Sequence, residues 1–303
     1  MSDVIPTRVA RRPSPAVVLE LLKPITWFPP MWAFICGVVS SGESWSARWP
    51  MIVAGILLAG PMVCATSQAV NDWYDRHVDA INEPQRPIPS GRIPGRWGLA
   101  IAIIWTMLSL LLASTLGVWG FIAAVIGLVL AWAYSAPPIR LKQNGWWGNA
   151  ACGLCYEGLP WFTGAAVMTA SAPDWRICVI ALLYSIGAHG IMTLNDFKSI
   201  EGDTRMGVNS LPVLLGAPMA ARFACWVMAV PQLVVVAMLI SWERPIYAVA
   251  VGVLLVAQLF LMAHLLKAPR ERAPWYNGTG ISCYVLGMLI SAFALAGLRA
   301  VGS

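Results

Sequence analysis

Three aspartates, Asp72, Asp75 and Asp79, stand at i, i+3 and i+7 within NDWYDRHVDAINEPQRPIPSGRIPGR, the stretch from Asn71 to Arg96. On an α-helix advancing about 100° per residue, this spacing brings the three carboxylates within roughly 60° of one another on one face. Acids so placed repel each other, and the arrangement calls for a cation, for which hard Mg²⁺ with its preference for oxygen ligands is the natural candidate. Pro84 then stops the helix, and Arg86, Arg92 and Arg96 follow in a Pro- and Gly-rich loop. Acids followed by arginines point to a metal and a phosphate.

A second acidic stretch, NDFKSIEGD, begins at Asn195, 124 residues after Asn71. Laid over the first, its Asn, first Asp and last Asp coincide, and Ser199 stands where Asp75 stood. Of the 14 carboxylate side chains, seven (Asp72, Asp75, Asp79, Glu83, Asp196, Glu201 and Asp203) occupy these two stretches. Any one of them is an ordinary loop acid, but matched patterns at two helix ends suggest groups that face a shared interior. In the second copy Asp196 and Asp203 are expected on one helix face, with Glu201 about 140° from Asp196. The repetition suggests two related four-helix halves plus a ninth helix, with a site between them.

Between the copies lies AYSAPPIRLKQNGWWGN, residues 133 to 149. Tyr134 closes an apolar segment, Pro137 and Pro138 turn the chain, and Arg140 and Lys142 offer cations on the side of both acid stretches. Positive charge in a cytoplasmic loop and an interfacial tyrosine would explain these residues equally well. With the loop arginines they complete a site for a diphosphate, Mg²⁺ holding one set of oxygens and Arg or Lys the others. Glu157 is the one carboxylate deep in an apolar segment, either functional or protonated and hydrogen-bonded within a bundle. His189 and His264 read as satisfied interior histidines, and Trp275, Tyr276 and Asn277 fall in RAPWYNGTG, a loop expected before the last helix. Cys152 and Cys155 form a CxxC without a partner pair, which reads as helix packing, and no disulfide framework is implied.

These residues must be positioned by membrane helices. The chain has 303 residues, 58% hydrophobic and only 11% charged, with a mean hydropathy of +0.69, against about 25% charged in soluble domains. No basic run is interleaved with aromatics, which argues against nucleic-acid binding. A basic tail over 1–24 precedes one membrane domain over 25–303, with no removable signal peptide. Apolar segments fall near 25–41, 51–70, 97–115, 118–134, 147–168, 175–195, 217–240, 245–266 and 278–299, giving an all-α protein of nine transmembrane helices. Placing the N-terminus in the cytoplasm puts 16 of the 20 Lys and Arg residues inside, so both acid stretches and the loop between them are expected to be cytoplasmic and the C-terminus periplasmic.

NDxxDxxxD, RPIPSGR, YSxPPxRLK and the later ND…EGD together resemble the UbiA-type intramembrane prenyltransferases, over almost the whole chain. The strings CYEGLPWFTGA and HGIMTLNDFKSIEGDTRMGVNSLPVLLG resemble the chlorophyll synthase branch. The resemblance implies a Mg²⁺-dependent transfer of a geranylgeranyl or phytyl group from its diphosphate to the propionate of bacteriochlorophyllide a in a bacterial inner membrane, with the prenyl chain in an apolar tunnel open to lipid. By position, Asn71, Asp72, Asp75 and Asp79 would form the first metal motif, and Asn195, Asp196 and Asp203 the second. Arg86, Arg92, Arg140, Lys142, Lys198 and Tyr134 would serve the diphosphate or the acceptor, whose pocket is expected around Glu157, Trp161, His189 and Trp275. Ser199 departs from relatives that carry Asp there, which leaves the number of metal ions open. Chlorophyllide, a 4-hydroxybenzoate-type quinone precursor or haem as acceptor, a transporter, and a non-catalytic pigment-binding or assembly protein stand as alternatives. Other pigment-biosynthesis proteins are candidate partners.

Overall fold

A chain threaded through hydrocarbon must satisfy its backbone polar groups within each segment, which favours helices. The computed structural model describes residues 12–299, and its regular elements are all helical. Arg8 and Arg11 of the expected tail lie outside the described residues. In chain order the helices are α1 (Pro15–Leu22), α2 (Phe28–Ser40), α3 (Trp49–Asn82), α4 (Trp97–Ala113), α5 (Gly117–Ser135), α6 (145–169), α7 (Trp175–Asn195), the short α8 (Ile200–Arg205) and α9 (Leu211–Leu215), α10 (Ala217–Ser241), α11 (Pro245–Leu265) and α12 (Pro269–Arg299).

Six helical stretches among the described residues are long and apolar enough to cross a membrane. One of them, Trp97–Ser135, is α4 and α5 together. Gly117, at φ +78°, turns the chain between them, a conformation that a side chain would oppose. Helices α3, α4 and α5 pack together on one side, and α7, α10, α11 and α12 on the other. Helix α2 joins the groups by packing on α3, α6 and α12, and Trp32 Nε1–H on α2 donates to the Val285 carbonyl of α12 at 3.1 Å. At the centre Trp161 is fully buried, stacks on Tyr184 at 5.7 Å and donates to Ser40 Oγ at 3.0 Å.

Residues 15–22 of the basic tail form α1, because Leu21 and Leu22 bury against Ala65, Ala69 and Ile101. Two expectations are corrected. RAPWYNGTG is helical, since α12 begins at Pro269 and continues through Pro274. Its Tyr276 is buried and accepts from Gln258 Nε2 at 3.0 Å, a side-chain anchor that apolar periodicity does not reveal. The second acidic stretch is not one α-helical face: α7 ends at Asn195 and the chain tightens into a 3₁₀ turn over Asp196–Ser199 before α8. The 100° step therefore does not carry from Asp196 to Asp203.

Two helices widen at one level. Leu58–Cys64 in α3 and Leu154–Gly158 in α6 are π-helical, and the first holds Pro61, whose carbonyl accepts from Trp105 Nε1 at 3.0 Å. Such bulges displace the backbone and leave room beside it.

Gln232 Nε2 donates to Gln258 Oε1 at 2.9 Å in a fully enclosed chain that ends at Tyr276. Gln258→Leu strands two buried polar partners and is expected to cost about 1–3 kcal/mol, read as a lower thermal midpoint in detergent. An unchanged midpoint would remove this network from the account of α11–α12 packing.

Candidate active site

Asp72 is 1% exposed at the end of α3 where apolar sequence gives way to acid. A carboxylate there needs compensation. Lys23 Nζ donates to Asp72 Oδ1 at 2.7 Å, and Arg86 reaches Asp72 Oδ1 at 3.4 Å and Asp79 Oδ2 at 2.9 Å while also pairing with Glu83. Asp75, one turn along, is met by Arg140 at 3.3 Å, by Lys142 and by Asn71 Nδ2 at 3.0 Å. Four carboxylates thus face four cations. Asp72 Oδ2 remains buried without a partner.

Lys23 is the residue that sequence reasoning misses, since in the sequence it is only one more charge of the basic tail. It follows α1 at φ +48°, and Arg140 sits at φ +44°. Both are cations held in left-handed backbone that ordinary side chains avoid, a cost of about 1–3 kcal/mol each. The anchors are visible: Leu21 and Leu22 bury α1, and Arg140 N donates to the Ala136 carbonyl at 3.0 Å.

The second stretch joins the same end of the bundle. Asp196 accepts from Asn149 Nδ2 on α6 at 3.1 Å, and Asn149 also donates to Thr193. Asn195 Oδ1 accepts from Asn277 Nδ2 at 2.7 Å, which ties α12 to the motif. Asn209 N donates to Gln143 O at 3.0 Å and Gly145 N to Asn209 O at 2.8 Å, so the loop carrying Arg140 and Lys142 is stitched to the chain after α8. Asn82, the last residue of α3, donates to Met206 Sδ at 4.0 Å. Asn149 and Asn277 carry no charge, so although Asn277 stands out in RAPWYNGTG the sequence does not mark the contacts that either makes.

Beside the first motif lies a cavity of about 200 Å³. Asn71, Gln68, Ser67 and Tyr134 line its polar part; Ala59, Val63, Leu130 and Ala131 line the rest. The walls include both π-helical segments, through Cys64, Cys155 and Tyr156. Cys152 and Cys155 therefore face a cavity as well as packing a helix, and all seven cysteines are free.

The other expected residues are dispersed. Arg92 binds Glu20 of α1 through both terminal nitrogens, at 2.5 and 2.7 Å, and faces solvent. Lys198 is exposed and Asp203 half-buried. Glu157 is 5% exposed, and its Oε2 has no partner. His189 Nε2 meets the Trp146 carbonyl at 3.1 Å, and its ring packs on Trp146 and Phe223. Trp275 meets the His264 ring edge-to-face, with centroids 4.8 Å apart. The cavity beside the first motif touches none of Glu157, Trp161, His189 and Trp275.

Among the described residues no three Cys, His, Asp or Glu side chains converge as a ready metal cage. The donor chemistry nevertheless fits a hard divalent ion, because the groups are carboxylate and amide oxygens and Asp72 Oδ2 is buried and unused. Lys23, Arg86, Arg140 and Lys142 occupy the other oxygens, and the same four cations suit an anion with several phosphate oxygens.

Residues 26–286 match the UbiA prenyltransferase family. The chain is 60% identical over 287 residues to the bacteriochlorophyll synthase 33 kDa chain of Cereibacter sphaeroides, covering 95% of each protein. It is 55% identical over 298 residues to the protein of the same description from Rhodobacter capsulatus, covering 97% of this chain and 98% of that one. In fold it is similar to a UbiA homolog from Archaeoglobus fulgidus solved bound to DMAPP and Mg²⁺, with a TM-score of 0.66 and 21% identity over 90% of this chain and 98% of that one.

Burial pulls the Lys142 ammonium below the usual lysine range, with Asp75 opposing the shift. An amine loses its charge above its pKa, so a lowered pKa means that the cation is lost sooner as pH rises. Binding of inorganic diphosphate with Mg²⁺ is expected to weaken through that range, and Lys142→Arg should move the fall to higher pH, since a guanidinium stays charged. Calorimetric titration from about pH 7 to about pH 11 reads it. Superimposable profiles would exclude Lys142 from anion binding.

Proposed function

The chain belongs to the UbiA prenyltransferase family, and from that premise we propose that it esterifies the propionate of bacteriochlorophyllide a with a geranylgeranyl or phytyl group delivered as its diphosphate. The observation that carries this reading is the 60% identity to a bacteriochlorophyll synthase, which runs through 95% of both chains. An acid-and-cation cluster at the polar end of an apolar cavity supports it.

In this reading Asn71, Asp72, Asp75 and Asp79, with Asn195, Asp196 and Asp203, would hold Mg²⁺, which would supply positive charge to a diphosphate leaving group. Arg86, Arg140, Lys142 and Lys23 turn from the carboxylates to phosphate oxygens, donating charge-assisted hydrogen bonds in a site with little water. The aromatic rings of Tyr134 and Tyr156 line the cavity beside the carbon that becomes electron-poor, and their faces stabilise positive charge. An oxygen of the acceptor carboxylate then forms the new C–O bond and diphosphate leaves. The propionate is already ionised at pH 7, since an unperturbed carboxylic acid titrates near about pH 4, so no side chain has to remove a proton. This agrees with a cavity that Glu157 and His189 do not line.

The nine helices α2 to α7 and α10 to α12 all span the membrane in this reading, in two four-helix groups and a ninth helix. The positive-inside balance puts the acid motifs at the cytoplasmic face of a bacterial inner membrane and the C-terminus on the periplasmic side.

Asp72→Asn and Asp196→Asn, which keep the side chain's shape and remove its charge, are each expected to lower transfer by about 10²-fold or more. Full activity in either would sink the metal assignment. Membranes given Mg²⁺, geranylgeranyl diphosphate and, in parallel, bacteriochlorophyllide a, chlorophyllide a or 4-hydroxybenzoate should esterify the first alone. Prenylated hydroxybenzoate in its place would refute the proposed acceptor and retain the family chemistry.

A further inference from the structure

A second apolar space of about 40 Å³ adjoins the cavity beside Asn71, sharing Ala59, Val63, Gly127 and Cys155 with it as lining. Along α3 the walls of the two run in succession from Asn71 through Gln68, Cys64 and Ala59 to Gly55, 16 residues or about 24 Å at 1.5 Å per residue.

At the far end stands Phe34 of α2, fully buried. A Cβ added to Gly55 would lie 2.0 Å from the Phe34 ring tip, so the ring rests on the bare backbone of α3 and closes the gap between α2 and α3. Only glycine permits that approach.

We propose that Phe34 sets the length of the prenyl chain that this protein accepts, admitting four isoprene units and rejecting five. The inference takes the two adjoining cavities as one channel and rests on the reading of that channel as the prenyl site. A four-unit chain laid straight is about 20 Å long and a five-unit chain about 25 Å, taking C–C bonds near 1.5 Å in a zigzag. With its first carbon at Asn71, a four-unit chain stops short of that span of about 24 Å, whereas a five-unit chain overruns it and meets the Phe34 ring. The packed core around that ring, which includes Val38, Leu58, Leu116 and Met168, gives it nowhere to retreat.

Gly127 offers the opposite test. A Cβ added there meets only Val63 Cγ1 at 3.6 Å and Leu159 Cδ1 at 3.7 Å, ordinary contacts, so a larger side chain fits where the two cavities adjoin and fills the channel from the side.

The experiment uses the full chain in membranes with Mg²⁺, bacteriochlorophyllide a and all-trans donors of two, three, four and five isoprene units. Phe34→Ala should raise the five-unit to four-unit ratio of kcat/KM at least about 10-fold, and Phe34→Leu should raise it less, since fit of one hydrocarbon increment is worth about 10- to 200-fold. Gly127→Leu should lower the four-unit to two-unit ratio by about 10-fold or more by the same reasoning. Should Phe34→Ala fail to fold, Phe34→Leu and Gly127→Leu decide. Transfer with length ratios unchanged in the folded variants overturns this inference alone. No transfer by the unmodified protein with any donor overturns the reading on which it rests as well.

Discussion

The burial of Asp72 is the constraint on which the rest of this structure depends. A carboxylate that is 1% exposed at a membrane helix end cannot stand alone, and its compensation recruits distant parts of the chain. Lys23 comes from beyond α1 and Arg86 from the loop after α3, while Arg140 and Lys142 come from the loop after α5 to serve neighbouring Asp75. The short helix α1, the loop that ties Arg92 to Glu20, and the stitch between Gln143, Gly145 and Asn209 all fix these cations in place. Two of the four accept left-handed backbone in doing so. Strain at such positions persists only where the surroundings over-determine it.

The two acidic motifs differ in how they meet that constraint. The first is crowded with cations, whereas Asp196 is held by the neutral amide of Asn149, and Asn195 by that of Asn277. Ser199 in place of a carboxylate removes one charge that would otherwise need a partner. The π-helical segments Leu58–Cys64 and Leu154–Gly158 then open the dry side of the site, so that charge chemistry and hydrocarbon share one cavity without mixing.

Much of this was legible in the sequence, for identifiable reasons. The spacing of Asp72, Asp75 and Asp79 has a single helical meaning, and Pro84 marks where it ends. Apolar runs announced the helices, although α3 extends to Asn82 because an acidic amphipathic turn continues an apolar one without any break in backbone pairing. Lys23, Asn149 and Asn277 were illegible because their significance is a contact, and no local pattern carries a contact across 49, 47 or 82 residues. The second motif misled through its likeness to the first. Similar letters suggested a similar helix, yet the chain tightens at Asp196. Trp161, expected near an acceptor pocket, is fully buried and stacks on Tyr184 in the core, a packing that the sequence does not mark.

The placement of Glu157 shows how such a bundle separates structure from chemistry. It sits in a π-helical turn that borders the cavity through Cys155 and Tyr156, yet its own side chain is buried away from that cavity. Its Oε2 is enclosed there without a partner, and the group lines no part of the cavity. The cavity is walled by aromatic rings and hydrocarbon, and the paired acids and cations gather at its Asn71 end. Such a polarity suits a reaction whose electron demand is met at the leaving group and whose nucleophile arrives already ionised.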